Sequence, residues 1–285
     1  MTKVGYDPAK DFVPVALMLA APNVLVVKAA LPVKSVQELI AYGKARRLTN
    51  ASQGIGASGH LIGEQFRQLT GVELTHVHYR GAALAVQDVV AGHVDLMFDV
   101  VSLTREQVLS GQLRALAMLS PQRNPVLPDV PTAAEVGLAG LEGGAWFGLM
   151  APAGTPRPIV DWLNAQTRMA YEASEVSERL TKQGLRLPLG TPEDFAALIA
   201  ADSKRWGDVI RRGGIKLERQ LSVYPRSRGN KPSALPRAIA CNSAAGKPRE
   251  RRPLAVSSIA TSGKSVPNMI CDVGTILVIA AIDGL

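Results

Sequence analysis

Cysteine is absent from the first 218 residues, for Cys241 and Cys271 both lie beyond them. Disulfide scaffolding and thiol catalysis are thereby excluded from most of the chain. Aromatics are also scarce, at 5%. No G-x-S-x-G turn occurs, since Ser58 stands in G-A-S-G, so a serine nucleophile has no motif to sit in. No apolar run approaches the roughly 20 residues of a membrane-spanning helix, and TILVIAAI near the C-terminus is far shorter. The opening MTKVGYDPAKDFVPV has neither an apolar h-region nor a cleavage pattern, so no signal peptide is visible in it. Charge imbalance is missing from the body of the chain as well. The net charge is +8, but from Arg219 onward ten bases face three acids, which leaves 22 bases against 21 acids in the first 218 residues. The basic stretch clusters no aromatics among its charges, so nucleic acid is not an expected partner.

What is present is a 47% hydrophobic composition arranged as short apolar runs alternating with capped helical segments over residues 12–218. That alternation predicts an α/β fold with a mostly parallel sheet. Apolar runs cover 12–19 and 24–28. Ser35 with Glu38 forms a capping box that opens the helix VQELIAYGKARR. Strands are expected at LTNAS, LTHVHY, VDLMF, 113–119 and WFGLMAP, and helices over 58–69 and 82–91. Residues 120–144, rich in Pro and Gly, read as a surface connection with one short helix capped by Thr132 and Glu135. Thr155-Pro156 and Thr191-Pro192 are helix starts, and Gly213 and Gly214 end the second of these helices. Beyond Leu217 the sequence loses its period and turns to Arg, Pro, Ser, Gly and Ala, and disorder is expected.

The chemistry centres on ASQGIGASGHLIG, where Gly54, Gly56 and Gly59 spell G-x-G-x-x-G. A dinucleotide loop needs a buried aliphatic strand before it and an acid at the end of the next strand. Here the strand before is short and polar, and LTHVHY ends in Tyr79 and Arg80 without a carboxylate. Arg80 could serve a 2′-phosphate, which keeps an NADP-dependent enzyme as the alternative reading. Without the fingerprint, there remains a flexible loop delivering the chain to a helix whose first N–H groups, near Ser58, Gly59 and His60, have no internal partner, an anion site on physical grounds. The plainer reading is a helix start capped by Ser58. Tyr79-Arg80-Gly81-Ala82 repeats the strand-glycine-helix arrangement at the same sheet edge. Asp99 follows VDLMF there, either as an acceptor for a ligand or as the cap of the next helix. His76 and His78 share a strand face without a third ligand, and His60 and His93 stand isolated, so neither a metal nor any other cofactor is expected. Trp146 and Phe147 read as the core of a returning strand.

Taken in order, YDPAKDFVPVALMLAAPNVLVV, LTNASQGIGASGHLIGEQF, VHYRGAALAVQDVVAGHVDLMFD, LRALAMLS, LPDVPTAAEVG, WFGLMAPAGTP and WGDVIRRGGIKL resemble the substrate-binding proteins of tripartite tricarboxylate transporters, the Bug or TctC-like family. The resemblance covers residues 6–218. It implies a periplasmic-binding-protein type II-like fold of two α/β domains with parallel sheets. Residues 1–30 would be a remnant of domain 1 and the crossover, 31–145 the ligand-binding domain 2, 146–218 the return to domain 1, and 219–285 a disordered basic tail. It implies a solute receptor without catalysis, periplasmic by family though cytoplasmic if expressed as written, monomeric, with a small organic carboxylate and membrane transporter subunits as partners. Ligand-binding positions carried over are Ser52, Gly54, Ala57, Ser58, Gly59 and Asp99. At position 57, where the family commonly shows Thr, this chain has Ala, which removes one hydroxyl contact. Family members begin with a signal peptide and further strand-helix units that have no counterpart before Tyr6, so an incomplete first domain is expected, and with it weak carboxylate binding or none by the chain alone.

Overall fold

The computed structural model describes residues 7–172 and 175–215 and, as backbone only, the strand Leu277–Ala281. One strand organises the rest. β1 (Phe12–Lys28) joins the two apolar runs of the sequence into a single extended segment. Its many valines favour the β region, and Pro14 and Pro22 prevent a helix from running through it. Residues 12–22 pair antiparallel with β6 (Gly144–Pro152), while residues 23–28 lie between β4 (Leu96–Val100) and β5 (Leu113–Met118), antiparallel to both. β2 (Leu48–Ser52) runs parallel to β3 (Leu74–His78) on one side and to β4 on the other. The strand order is thus β3-β2-β4-β1-β6, with β5 also on β1. The mixed α/β architecture matches the expectation, and pairing is parallel where strand-helix units succeed one another. The antiparallel pairings among these strands all involve β1, which reaches both sheet regions as one piece.

Period-two alternation along β1 sends its side chains into two cores. Leu25 and Val27 join Leu48, Phe98 and the helices α1 (Val36–Ala45) and α2 (Ser58–Thr70). Val24 and Val26 face the other way, against Met97 and the helices α3 (Ala82–Val90) and α4 (Val101–Leu109). Near its N-terminal end Val15 packs with Leu149 and with Val160 of α5 (Arg157–Glu172). After α6 (Glu175–Lys182), α7 (Pro192–Gly213) braces both sheet regions. Phe195 at one end lies on β6, where a Cβ on Gly148 would come within 2.1 Å of its ring, and Trp206 and Val209 at the other belong to the core under α2.

Start and stop signals act much as the sequence suggests. Thr191 and Asp194 form a complete capping box, and α7 stops at Gly214 with φ 60°. Ser35 Oγ accepts the Glu38 N–H, but the Glu38 carboxylate reaches Lys34 N–H instead of the cap residue. Thr132 and Glu135 exchange the reciprocal bonds of a capping box too, yet they close turns and no helix follows. Gly137 and Gly140, at φ 80° and 88°, take the chain out of the helical region within one turn. Within 219–285, expected to be irregular throughout, β7 (Leu277–Ala281) is a strand antiparallel to β6, as suits an aliphatic run meeting a strand edge. The remainder of that expectation lies outside the described residues.

Candidate functional site

The parallel strands β2, β3 and β4 lie side by side in the order β3-β2-β4, and each leads into a helix: α2, α3 and α4. The N-caps of these helices are Ala57, Gly81 and Val100, and none makes a side-chain capping bond. The helices α1 and α7 are both capped by a hydroxyl. Three neighbouring helices therefore leave backbone N–H groups and positive dipole ends at the same sheet edge, an arrangement that attracts anions. Ser58, read as a possible cap, is instead the first residue of α2 and is buried. The cap falls on Ala57, which has no oxygen to offer.

The glycines divide into two tasks. Gly54 and Gly56, at φ 147° and 80°, take conformations that disfavour any side chain, so they shape the turn. Gly59 and Gly63 lie one helical turn apart on α2 and permit close packing: a Cβ on Gly59 would meet the Phe98 carbonyl at 2.6 Å, and one on Gly63 would meet Asn50 Nδ2 at 2.4 Å. The G-x-G-x-x-G spelling is thus accounted for by a turn and a helix-sheet contact.

Asp99 lies within β4, one residue before its end, and is 1% exposed. Its Oδ1 accepts from Gln53 Nε2 at 2.6 Å and from the Val100 N–H at 2.7 Å, whereas Oδ2 is buried without a partner among the described residues. Burial pushes this carboxyl up to about 6. Capping is excluded as its role, since α4 begins at Val101 with Val100 as cap. Gln53, which sequence reasoning missed, ties Asp99 to the glycine loop. Ser52 closes β2 with its Oγ 2.7 Å from His78 Nδ1 and 3.4 Å from the Gly54 carbonyl. Ser52, Gly54, Ala57, Ser58, Gly59 and Asp99 accordingly come together at the ends of β2 and β4.

The histidines are arranged differently from expectation. His60 is not isolated: its ring stands edge-on to those of His76 and His78, with centroids 4.6 and 4.7 Å away. One turn into α2 it faces β3, a contact that local sequence spacing does not reveal. Burial pushes His60 down to about 4 and lowers His76 and His78 as well, so neutral imidazoles are favoured. Among the described residues no group of three or more His, Cys, Asp or Glu is placed to hold a metal.

A cavity of about 300 Å³ lies elsewhere, between the middle of β1, the segment before β6, and α7. Part of its polar lining pairs internally: Trp146 Nε1 donates to Asp202, and Arg205 donates to Asp202 and to the Glu142 carbonyl. Trp146 also packs edge-on against Phe195, as suits a strand residue covered by a helix. None of the six carried-over residues lines this cavity.

A family model described as "Tripartite tricarboxylate transporter family receptor" matches residues 1–215. A Pseudomonas sp. (strain P51) protein, "UPF0065 protein in tcbD-tcbE intergenic region", is 41% identical over 211 residues, covering 73% of this chain and 63% of its own length. The chain thus spans less than two thirds of that relative. Among solved structures, "R. palustris Rpa4515 with adipate" is similar at 38% identity and a TM-score of 0.65, covering 75% of this chain and 72% of that one. "MatC (Rpa3494) from Rhodopseudomonas palustris with bound malate" is similar at 37% identity and a TM-score of 0.64, covering 74% and 73%.

Proposed function

The chain belongs to the tripartite tricarboxylate transporter family of receptors, and from that premise we propose that it is an extracytoplasmic solute-binding protein for small organic carboxylates, without catalysis of its own. The observation that carries the reading is the row of three helix N-termini without side-chain caps at the ends of β2, β3 and β4. A ligand carboxylate fits there by accepting backbone N–H groups, with Gly54, Ala57, Ser58 and Gly59 around it and Ser52 adding a hydroxyl. An ionised Asp99 repels an ionised carboxylate of the ligand. Its free Oδ2 suits a ligand hydroxyl, an amine or a bridging water. The named ligands of two similar proteins, adipate and malate, are of this chemical class. Binding would favour a closed conformation by its differential affinity for that state, and the closed form would deliver the solute to membrane subunits of a transporter.

The NADP-dependent alternative loses its footing on the same geometry. The glycines are explained by turn and packing, and β3 ends without a carboxylate to hold a ribose. Titration calorimetry of the chain with malate, adipate and NADP separates the readings. Heat with either carboxylate and none with NADP is expected, and saturable NADP binding with silence for both carboxylates would reverse the conclusion.

A further inference from the structure

The buried histidine cluster has no place in carboxylate binding as described, yet it touches the loop that does the binding. His60 Nδ1 accepts the N–H of Gly56 at 3.0 Å, and both residues are buried. An Nδ1 that accepts must carry its proton on Nε2, so this ring is held as one neutral tautomer. The rings that flank it are themselves tied down: Asn50 Nδ2 donates to His76 Nδ1 at 3.1 Å and to the Gly59 carbonyl at 3.1 Å, and Ser52 Oγ pairs with His78 Nδ1. Thus β3 and the turn at Gly56 meet on the His60 imidazole of α2, and β2 holds the two rings that flank it.

We propose that His60 is a positioning residue for the ligand loop, fixing the turn at Gly56 through its Nδ1 so that the N–H groups at the start of α2 are aimed before a ligand arrives. The proposal rests on the reading of residues 52–59 as the carboxylate site. Gly56 has positive φ, and a glycine turn left to itself samples many conformations. A single buried acceptor one turn along the helix removes that freedom, and ordering the loop in advance lessens the entropy lost on binding. Protonation of His60 would replace the acceptor by a second donor and break the bond. The ionisable groups that face it are His76 and His78 from β3 and Glu64 from its own helix, with Arg67 beside His76 and Glu64. Burial and, after it, the neighbouring imidazoles oppose that proton, and Glu64 favours it.

The test uses the full chain. In the wild type, scalar coupling across the hydrogen bond should connect the Gly56 amide nitrogen with His60 Nδ1 and should vanish as the pH falls through the titration of His60. His60→Leu should speed amide exchange at Gly56 and weaken malate and adipate binding about tenfold, while His60→Asn, whose side-chain oxygen can occupy the place of Nδ1, should restore both to within about threefold of the wild type. Absence of the coupling in the wild type overturns the proposal even where His60→Leu fails to fold, as does Gly56 exchange that ignores both variants. If Gly56 exchange follows the variants while malate and adipate bind them as they bind the wild type, the positioning proposal is overturned and the carboxylate-receptor reading stands; if the wild type binds neither carboxylate, that reading fails by itself.

Discussion

Asp99 and His60 are displaced in opposite directions by the same cause, burial, and their effects on stability oppose each other. The Asp99 carboxyl, raised to about 6, stabilises the fold fully below the ordinary value of 3.8, and that contribution is lost as pH rises through 6. His60, lowered to about 4, contributes stability above its ordinary 6.5 that is lost as pH falls through 4. Between pH 4 and 6 the two slopes partly cancel. Replacing Asp99 with Asn removes one of them: Asp99→Asn should raise the melting temperature at pH 7, by the equivalent of about 2 kcal/mol, and much less at pH 4. Thermal unfolding at the two pH values checks this, and an equal shift at both would contradict it. Gly59→Ala, which drives a methyl against the Phe98 carbonyl, should cost about 1–3 kcal/mol in denaturant unfolding. At this scale the sequence was partly legible. The residues around the anion site could be named from a glycine turn followed by a helix, because turn and cap chemistry is local. Gln53, Asn50 and the role of His60 could not, because their partners come from another strand or from a helix laid across the sheet.

Helix starts explain much of what could be read at the next scale. Thr191 with Asp194 is a local pattern with a local bond, so α7 was readable to its glycine stop, and Thr191→Ala should cost about 1 kcal/mol in thermal unfolding. At Ala57 the cap oxygen is missing, so Ala57→Ser should gain about 1 kcal/mol by the same measurement. α6 was not anticipated: its apolar stripe is only Val176 and Leu180, four residues apart, too short a period to mark a helix, and none of its residues is buried. The turn at Thr132 taught the converse, since a complete set of capping bonds does not make a helix when glycines at 137 and 140 lead the chain away.

The molecule as a whole depends on two elements that belong to both sheet regions, β1 and α7. Neither region can lose its order without disturbing the other, so near-ultraviolet circular dichroism, which reports on Trp146 and Phe195 over β6 and on Trp206 under α2, should show a single unfolding transition over residues 7–215 coincident with that of the backbone. Two separated transitions would mean that the shared elements do not couple the regions. The antiparallel course of β1 was not legible in advance, since the apolar runs at 12–19 and 24–28 look alike whether they form two strands or one. The joined strand also limits how a gene of this kind can change in length. An added residue at the junction of Pro22 and Asn23 has two outcomes: it bulges out where the strand passes from β6 to β4, or it exchanges Val24 and Val26 with Leu25 and Val27 between the two cores. β1 must keep its count, so variation in length among chains built this way should avoid the middle of this strand.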